Sequence, residues 1–286
     1  IAPDTVMEVE ISSDNYYSFY FITTDERKLN TFLEIKDLFE SNQDNTGKVF
    51  CIIQRGSTLD LASIGLAGID FNPKNYSKKV ISDYKYVIKD LKSENPSGRI
   101  SIFEGVPGSG KTHLVKSLLN DVKDTTFILV PPELVSSLAG PQFIPLLISY
   151  TRDSKGPVIL ILEDADECLV KRDSSNINSI QALLNLSDGI VGSMLDLRIV
   201  ATTNATKIDF EPAILRNGRL SKRVEVNLLS AKEANALLFD LFSKKFNFKS
   251  IKQYEQFVKN FSFDKPIVLA DVYAKARKLG WTPWII

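Results

Sequence analysis

The residues from Gly105 to Thr112 combine types and a spacing that suit the chemistry of phosphate groups. They read Gly-Val-Pro-Gly-Ser-Gly-Lys-Thr and fit the pattern G-x-x-x-x-G-K-[ST] of phosphate-binding loops. Glycines let the backbone curl so that its N–H groups point inward, Lys111 reaches the outer phosphates, and the Thr112 hydroxyl binds magnesium. The helix expected after the loop adds its positive end. We therefore predict that a polyphosphate is held by Gly105, Val106, Pro107, Gly108, Ser109, Gly110, Lys111, Thr112 and His113.

A second group of candidate residues is acidic and follows the apolar run at 158–162. Its five residues are Glu163-Asp-Ala-Asp-Glu167. Burying carboxylates is costly unless they have a partner, and a magnesium ion and a water molecule to be activated are natural partners beside a polyphosphate. The alternative is a solvated acidic turn.

Three more polar residues complete the candidate chemistry. Asn204 ends a predicted strand, so its amide could orient an attacking water or touch the outer phosphate, or it could simply start a turn. Arg216 and Arg219 follow a predicted short helix. They could act as arginine fingers, which stabilise transition-state charge, or they could be solvated surface residues.

The elements that must position these residues alternate from residue 99 onward. Strands are predicted at 100–104, 126–130, 158–162, 197–202 and 224–227, with helices between them, which implies a parallel sheet covered on both faces. After residue 229 the pattern becomes helical, starting with a capping box at Ser230 and Glu233 and continuing near 251–261 and 266–279. A further helix is predicted at 76–92. The first 70 residues read as a small α+β unit with strands at 7–12, 16–22, 48–54 and 57–65 and a helix at 25–41.

Composition excludes several classes of protein. Lysine plus arginine equals aspartate plus glutamate at 35 each, so the net charge does not favour a nucleic-acid partner. Cys51 and Cys168 do not form a disulfide framework or a metal cluster, which favours a reducing, cytoplasmic location. With His113 as the only histidine, no histidine metal site or catalytic triad is possible. We expect no membrane-spanning helix and no signal peptide.

Together these elements resemble the AAA+ ATPases, in particular the AAA branch in the narrow sense, over residues 71 to 280. The most specific part is 201–220, which is similar to the family's second region of homology, A-T-N followed by D-P-A-L-L-R-P-G-R-F. The resemblance implies that Asn204 is the sensor residue and that Arg216 and Arg219 serve the ATP of a neighbouring subunit. It also implies ATP and Mg2+ as cofactors, a usually hexameric ring, and adenine contacts near residues 71–76.

The predicted fold is therefore α/β: an αβα parallel-sheet AAA+ domain with a phosphate-binding loop at 71–229, a helical lid at 230–286, and a small α+β domain at 1–70. In the family the acidic strand ending is Asp-Glu, whereas here it is Glu163-Asp164, the order found in the mitochondrial AAA translocases of the Rieske protein. The resemblance then gives Glu163 the magnesium-side role and Asp164 the role of base.

Two further departures bear on function. The stretch that matches the family's substrate-threading loop is Leu138-Ala139-Gly140, which lacks the usual aromatic residue, and Arg277 is the only arginine of the predicted lid and lies late in it. The leading hypothesis is an ATP-hydrolysing ring that remodels or moves a protein partner chosen by residues 1–70. The alternatives are an ATP-dependent assembly switch that hydrolyses slowly or not at all, and a nucleic-acid remodeller, which the neutral charge disfavours.

Overall fold

The chain divides into two compact units, Ile1–Asn45 and Thr46–Ile286. The structure is a computed structural model, and it describes residues 5–11, 17–25, 28, 48–56, 58–64, 68–151, 156–170, 177–188, 190–204, 210–243, 256 and 261–281. Within this part of the chain, no helix has the length and apolar character needed to cross a membrane.

The first unit contains an antiparallel pair of strands, β1 (Thr5–Ile11) and β2 (Tyr17–Thr23). Their register places Thr5 opposite Thr23 and Ile11 opposite Tyr17, which confirms the two strands predicted there. Tyr20 and Ile22 are 52% and 69% exposed. The helix predicted at 25–41 lies almost wholly outside the described residues.

The second unit is built on a seven-stranded sheet in the order β4-β3-β6-β7-β8-β5-β9. All neighbouring strands are parallel except β3 and β4, which form an antiparallel pair. The strands are β3 (Lys48–Arg55), β4 (Thr58–Ser63), β5 (Gly98–Glu104), β6 (Thr126–Val130), β7 (Val158–Leu162), β8 (Leu197–Thr203) and β9 (Gly218–Glu225).

Strands β3 and β4 differ from expectation in where they belong. The sequence predicts them within a separate unit ending near residue 70, but β3 pairs with β6 and β4 forms the outer edge of the same sheet. The reason is burial, because Phe50 and Ile52 of β3 are 5% and 1% exposed and pack in the core of that sheet. The residues that extend the sheet therefore lie on the amino-terminal side of the predicted boundary.

Eight helices flank the sheet in the described part of the chain. They are α1 (Lys78–Leu91), α2 (Lys111–Asp121), α3 (Phe143–Thr151), α4 (Asp166–Leu169), α5 (Ile177–Asp188), α6 (Ile190–Met194), α7 (Ala231–Ser243) and α8 (Leu269–Lys278). Short 3-10 turns occupy Pro73–Asn75, Pro132–Leu134 and Ser136–Ala139. The helix predicted near 251–261 falls mostly outside the described residues.

Two hydrophobic cores lie on opposite faces of the sheet, because successive side chains of a strand alternate between its faces. In β7, Val158, Leu160 and Leu162 belong to one core, while Ile159 and Ile161 belong to the other. The first core takes residues from α3 and α5, and the second takes them from α1, α2, α7 and α8. This is the αβα architecture that the strand and helix pattern predicts.

Helix ends follow local sequence signals. The Ser77 side chain accepts a hydrogen bond from the Val80 N–H at 3.4 Å and caps α1. The capping box predicted before α7 is present, since Glu233 accepts from the Ser230 N–H at 2.9 Å and the Glu233 N–H donates back to the Ser230 hydroxyl at 3.3 Å.

The last strand begins earlier than its sequence predicts. β9 starts at Gly218 rather than at residue 224, because it pairs along the whole length of β5, from Gly98 opposite Gly218 to Glu104 opposite Glu225. Residues 212–215 form a turn rather than the predicted short helix. Arg219 is therefore the second residue of an edge strand.

Charged residues at the amino ends of the strands are paired with one another. Arg198 is only 2% exposed, and its guanidinium donates to the Asp196 carboxylate at 2.6 Å and to the carbonyls of Asp90 and Ser93 at 2.8 and 2.7 Å. Arg99 donates to the same carboxylate at 2.9 Å. These bonds tie the starts of β5 and β8 to the end of α1.

Candidate functional site

The phosphate-binding pattern forms the connection between β5 and α2. Gly110 has φ of 100°, a left-handed value that disfavours residues with a side chain, and a Cβ there would lie 2.7 Å from Leu269 Cδ2. A Cβ at Gly105 would lie 2.3 Å from the carbonyl oxygen of Val226. Glycine is thus required at both positions, once for its backbone conformation and once for close approach to a neighbouring strand.

Lys111 is held inside this loop. Its side chain is largely buried, and Nζ donates to the carbonyls of Gly105 at 2.8 Å and Val106 at 3.1 Å. Burial lowers the pKa of Lys111, and the charges of Asp164 and Asp166 act in the opposite direction. The ammonium group is thus oriented by backbone dipoles, and an anion entering the loop can take it as a partner.

The acidic stretch follows β7. Its parallel neighbour β8 ends next to it, and Asn204 follows β8 directly. Asp164 has φ of 51°, and its N–H donates to the Thr202 hydroxyl at 3.0 Å. The Asp164 Oδ1 accepts a hydrogen bond from the Asn204 amide at 2.5 Å. Since Leu162 pairs with Ala201 in register, the two strand ends bring the predicted carboxylate and amide into contact.

A second carboxylate of the stretch has a partner that the sequence did not suggest. The hydroxyl of Thr203, which is fully buried, donates to Asp166 Oδ1. The signal was present in the run Thr202-Thr-Asn204 at the end of β8, next to the acidic stretch that follows the neighbouring strand β7. Thr202 and Thr203 thus fix Asp164 and Asp166 respectively.

One cavity of about 650 Å³ joins the loop to these strand ends and to the last described helix. Predicted site residues in its wall are Pro107, Gly108, Gly110, Lys111, Thr112, His113, Asp164 and Asn204. Asn75, from the range 71–76 where the resemblance implies adenine contacts, also lines the cavity. Residues that the sequence did not single out as site residues complete the wall: Leu269, Ala270, Tyr273, Arg277 and Trp281. Of the remaining predicted residues, Gly105, Val106, Ser109, Glu163, Arg216 and Arg219 are not in it.

Magnesium would find suitable oxygen ligands in this wall. The hydroxyl of Thr112 and the carboxylate of Asp164 both face the cavity, and such oxygens, with phosphate oxygens, are what Mg2+ prefers. Glu163, which the resemblance gives the magnesium-side role, is half-buried outside the cavity wall. The oxygen donors of the wall thus fit a magnesium ion.

Helix α8 closes the cavity against the loop. The Ala270 N–H donates to the Gly108 carbonyl at 2.9 Å. On the other side the Tyr76 hydroxyl donates to the Gly110 carbonyl at 2.9 Å, and the Tyr273 hydroxyl donates to Asn75 Oδ1 at 2.8 Å. These contacts join the turn at 73–75, the phosphate loop and α8, which are distant in sequence and could not be paired from it.

The two arginines lie apart from this cavity. Arg216 is exposed, and Arg219 Nη1 donates to the Ala213 carbonyl at 2.8 Å in the turn before β9. Arg216 thus lies in the turn that leads into β9, and Arg219 lies in β9 itself, an edge strand of the sheet.

The stretch matched to a threading loop is folded inward. Leu138 lies in the 3-10 turn Ser136–Ala139, is 2% exposed and packs in the first hydrophobic core. Its side chain therefore does not face solvent as a gripping residue would.

Comparison with known proteins shows a family for the part of the chain that carries the site. Residues 101–228 match the model of the ATPase family associated with various cellular activities, AAA. Residues 101–228 form an AAA ATPase domain. The matched region of this AAA domain runs from β5 through β9 and contains the phosphate loop, the acidic stretch, Asn204 and both arginines.

Several curated relatives align with the AAA domain. The 26S protease regulatory subunit 6A of Caenorhabditis elegans is 27% identical over 53% of this chain, and the 26S proteasome regulatory subunit 4 homolog B of Arabidopsis thaliana is 28% identical over 59%. The peroxisomal ATPase PEX6 of Candida glabrata is 26% identical over 60%. The chain spans 36%, 39% and 17% of the length of these relatives, respectively.

Proposed function

We propose that this chain binds ATP with magnesium in the 650 Å³ cavity and hydrolyses it. The observation that carries the proposal is that Lys111, Thr112, Asp164 and Asn204, which come from three separate segments, share one cavity wall. A phosphate-binding loop alone supports binding only. A carboxylate and an amide at its outer end supply what hydrolysis needs.

Each residue has a physical role in this proposal. Backbone N–H groups of the loop and the Lys111 ammonium hold the phosphates, and the Thr112 hydroxyl with a carboxylate holds the metal ion. Bound magnesium neutralises charge that develops on the phosphates. Asp164 accepts the proton of the attacking water, and Asn204 keeps that carboxylate oriented through its hydrogen bond.

We further propose that the site is completed by a neighbouring copy. Arg216 and Arg219 lie at the β9 edge and outside the wall of their own cavity, which supports a role toward another subunit. Such a contact repeats from copy to copy and closes into a ring, for which we propose six subunits as in the resembling family.

The test is the ATPase rate per chain as a function of protein concentration, with the mass measured in parallel. A shared site predicts that the rate rises with assembly. Arg219→Ala should keep ATP affinity within about twofold and lower turnover by about 10³-fold. Unchanged ATP turnover in Arg219→Ala, or an ATPase rate per chain that stays constant from monomer to oligomer, would contradict a site shared between subunits.

We propose a protein as the partner on which the ATPase acts. The proteasome subunits and the peroxisomal ATPase among the relatives support this class of work. Because Leu138 is buried, we propose movement of a partner bound by the first unit, Ile1–Asn45, rather than threading through a gripping loop. Stimulation of the ATPase by an unfolded model protein such as casein would contradict this, and deletion of residues 1–45 should leave basal turnover intact.

A slow assembly switch is the second candidate. Two features of Asp164 favour it. The side chain is one methylene shorter than the glutamate that the resembling family has there, and its carboxylate already accepts a hydrogen bond from Asn204. Turnover well above about 0.1 per second, a tenth of the low end of typical enzymes, would exclude it.

A further inference from the structure

We propose that Arg277, with Tyr273 beside it, holds the nucleoside end of the bound nucleotide and sets the affinity for that end. The inference rests on the proposed function, since it takes the cavity to be a nucleotide site. Arg277 is the one arginine among the described residues of the cavity wall.

The direction of α8 carries the first step. Its start abuts the phosphate loop, since Ala270 N–H bonds to the Gly108 carbonyl at 2.9 Å. Tyr273 and Arg277 follow three and seven residues later, which keeps them on one helix face and moves them about 4.5 and 10 Å along its axis. Both line the cavity together with the loop. The wall thus extends from the phosphate loop along one face of α8, and we assign this stretch to the nucleoside.

The second step is the chemistry of that far end. The Tyr273 hydroxyl donates to Asn75, which is 2% exposed, and this bond fixes the phenol ring. The Trp281 ring lies 5.4 Å from the Tyr273 ring at 59° and also lines the cavity. Aromatic faces of this kind suit stacking with a nucleobase, which does not depend on base identity.

Arg277 adds a planar cation to this aromatic wall. A guanidinium stacks on aromatic rings and donates up to five hydrogen bonds, so it suits the ring nitrogens of a base and the hydroxyls of a ribose. Because Lys111 already occupies the phosphate loop at the other end of the cavity, two cations divide the ligand between them. Lys111 serves the phosphates and Arg277 the nucleoside.

Binding of two ligands to the full chain separates these roles. ADP has both parts, whereas tripolyphosphate has no nucleoside. Arg277→Ala should weaken ADP about tenfold by titration calorimetry and change tripolyphosphate less than twofold. Lys278→Ala, the adjacent residue that does not line the cavity, is the matched control and should change neither. Lys111→Ala should weaken both.

The outcomes are distinguishable. If Arg277→Ala weakens both ligands equally, or neither, the nucleoside role is wrong while the nucleotide site stands. If the unaltered chain binds neither ligand, the proposed function itself fails.

Trp281 supplies a readout that a general loss of stability would not reproduce. Trp284→Phe leaves Trp281 as the only tryptophan of the sequence. In that background ADP should change the tryptophan emission and tripolyphosphate should not. Emission that is unchanged by saturating ADP would overturn the assignment of this wall to the nucleoside.

Discussion

The two ends of the parallel sheet use charged residues in opposite ways. At the amino ends, Arg198 and Arg99 both bond to the Asp196 carboxylate, and Arg198 also satisfies two backbone carbonyls. At the carboxyl ends, Lys111 Nζ donates to two backbone carbonyls, and the Asp164 carboxylate accepts from the uncharged amide of Asn204. The amino-end charges neutralise one another, whereas Lys111 and Asp164 at the cavity bond to uncharged groups.

The difference teaches that a buried charge must be judged by its partners. Arg198 is the more deeply buried cation, yet it belongs to the structure because its donors are used within the protein. Lys111 has a pKa lowered by burial and faces a cavity, so an added anion can improve its environment. We expect mutations at the two ends to separate stability from ligand binding.

Replacing Arg198 should have the largest effect, and it should lower the free energy of unfolding without changing nucleotide affinity. Arg198→Met fills similar space but leaves the carbonyls of Asp90 and Ser93 without their donors, so we expect about 3 kcal/mol of destabilisation in urea unfolding. Nucleotide affinity of the folded protein should stay within about twofold. A stability change under about 1 kcal/mol would mean that the amino-end cluster is not structural.

Replacing Lys111 should lower ATP affinity and leave the free energy of unfolding nearly unchanged. Lys111→Ala removes charged hydrogen bonds to phosphate, so ATP affinity should fall about 100-fold, or about 2.8 kcal/mol, in a calorimetric titration. The free energy of unfolding should change by less than about 1 kcal/mol, because a desolvated charge is lost together with its bonds. Lys116→Ala, on an exposed position of the same helix, is the control and should bind ATP normally.

A smaller effect is expected at the amide beside the carboxylate. Asn204→Ala removes the donor that orients Asp164, so we expect turnover to fall about tenfold with ATP affinity unchanged within twofold. Steady-state kinetics read alongside equilibrium binding would check this. Asn185→Ala, at an exposed position of α5, is the control and should change neither binding nor turnover. Equal losses in binding and turnover for Asn204→Ala would argue that Asn204 contacts ATP in the ground state.

The smallest expected effect is on stability, at the solvent-exposed ion pair of Lys79 and Glu225. Lys79 Nζ lies 2.8 Å from Glu225 Oε2, and this partner lowers the pKa of Glu225. A lowered carboxyl pKa stabilises the fold above the usual value of about 4.3 and loses that effect as the pH falls through the lowered value. Lys79→Met should therefore cost under about 0.5 kcal/mol at pH 7 and low salt.

Two controls sharpen this last comparison. The cost of Lys79→Met should shrink in 1 M salt and should decline as the pH falls through the lowered pKa of Glu225, measured by urea unfolding. A loss that persisted at acid pH would show that packing of the lysine stem, rather than its charge, is what matters.

Local patterns predicted most of the sheet and the phosphate end of the site. Residues 105–112 form one continuous segment, so their spacing alone identifies the loop, and the apolar run at 158–162 identifies a buried strand. Asp164 and Asn204 could be expected to meet because both follow parallel strands. Their contact depends on the adjacency of β7 and β8, which the alternation of strands and helices makes probable but does not fix.

The nucleoside end could not be predicted in the same way. Asn75 lies 198 residues before Tyr273, and its contact with Tyr273 depends on the path of α8 across the loop. The start of β9 was missed because Gly218 and Arg219 resemble a turn, and only pairing with β5 makes them strand. The place of β3 and β4 was missed because edge pairing depends on partners far along the chain.

The position of β5 between β8 and β9 has a consequence for synthesis of the chain. Ile100 of β5 pairs with Ile199 of β8, so the strand that carries the phosphate loop leaves the ribosome about a hundred residues before its first neighbour. At about 5–20 residues per second this delay lasts on the order of 5–20 s. Throughout that time an apolar strand has both edges open, while the β3–β4 hairpin upstream can already close. Chaperones should therefore bind most strongly to nascent chains that are stalled before residue 197, where β8 begins.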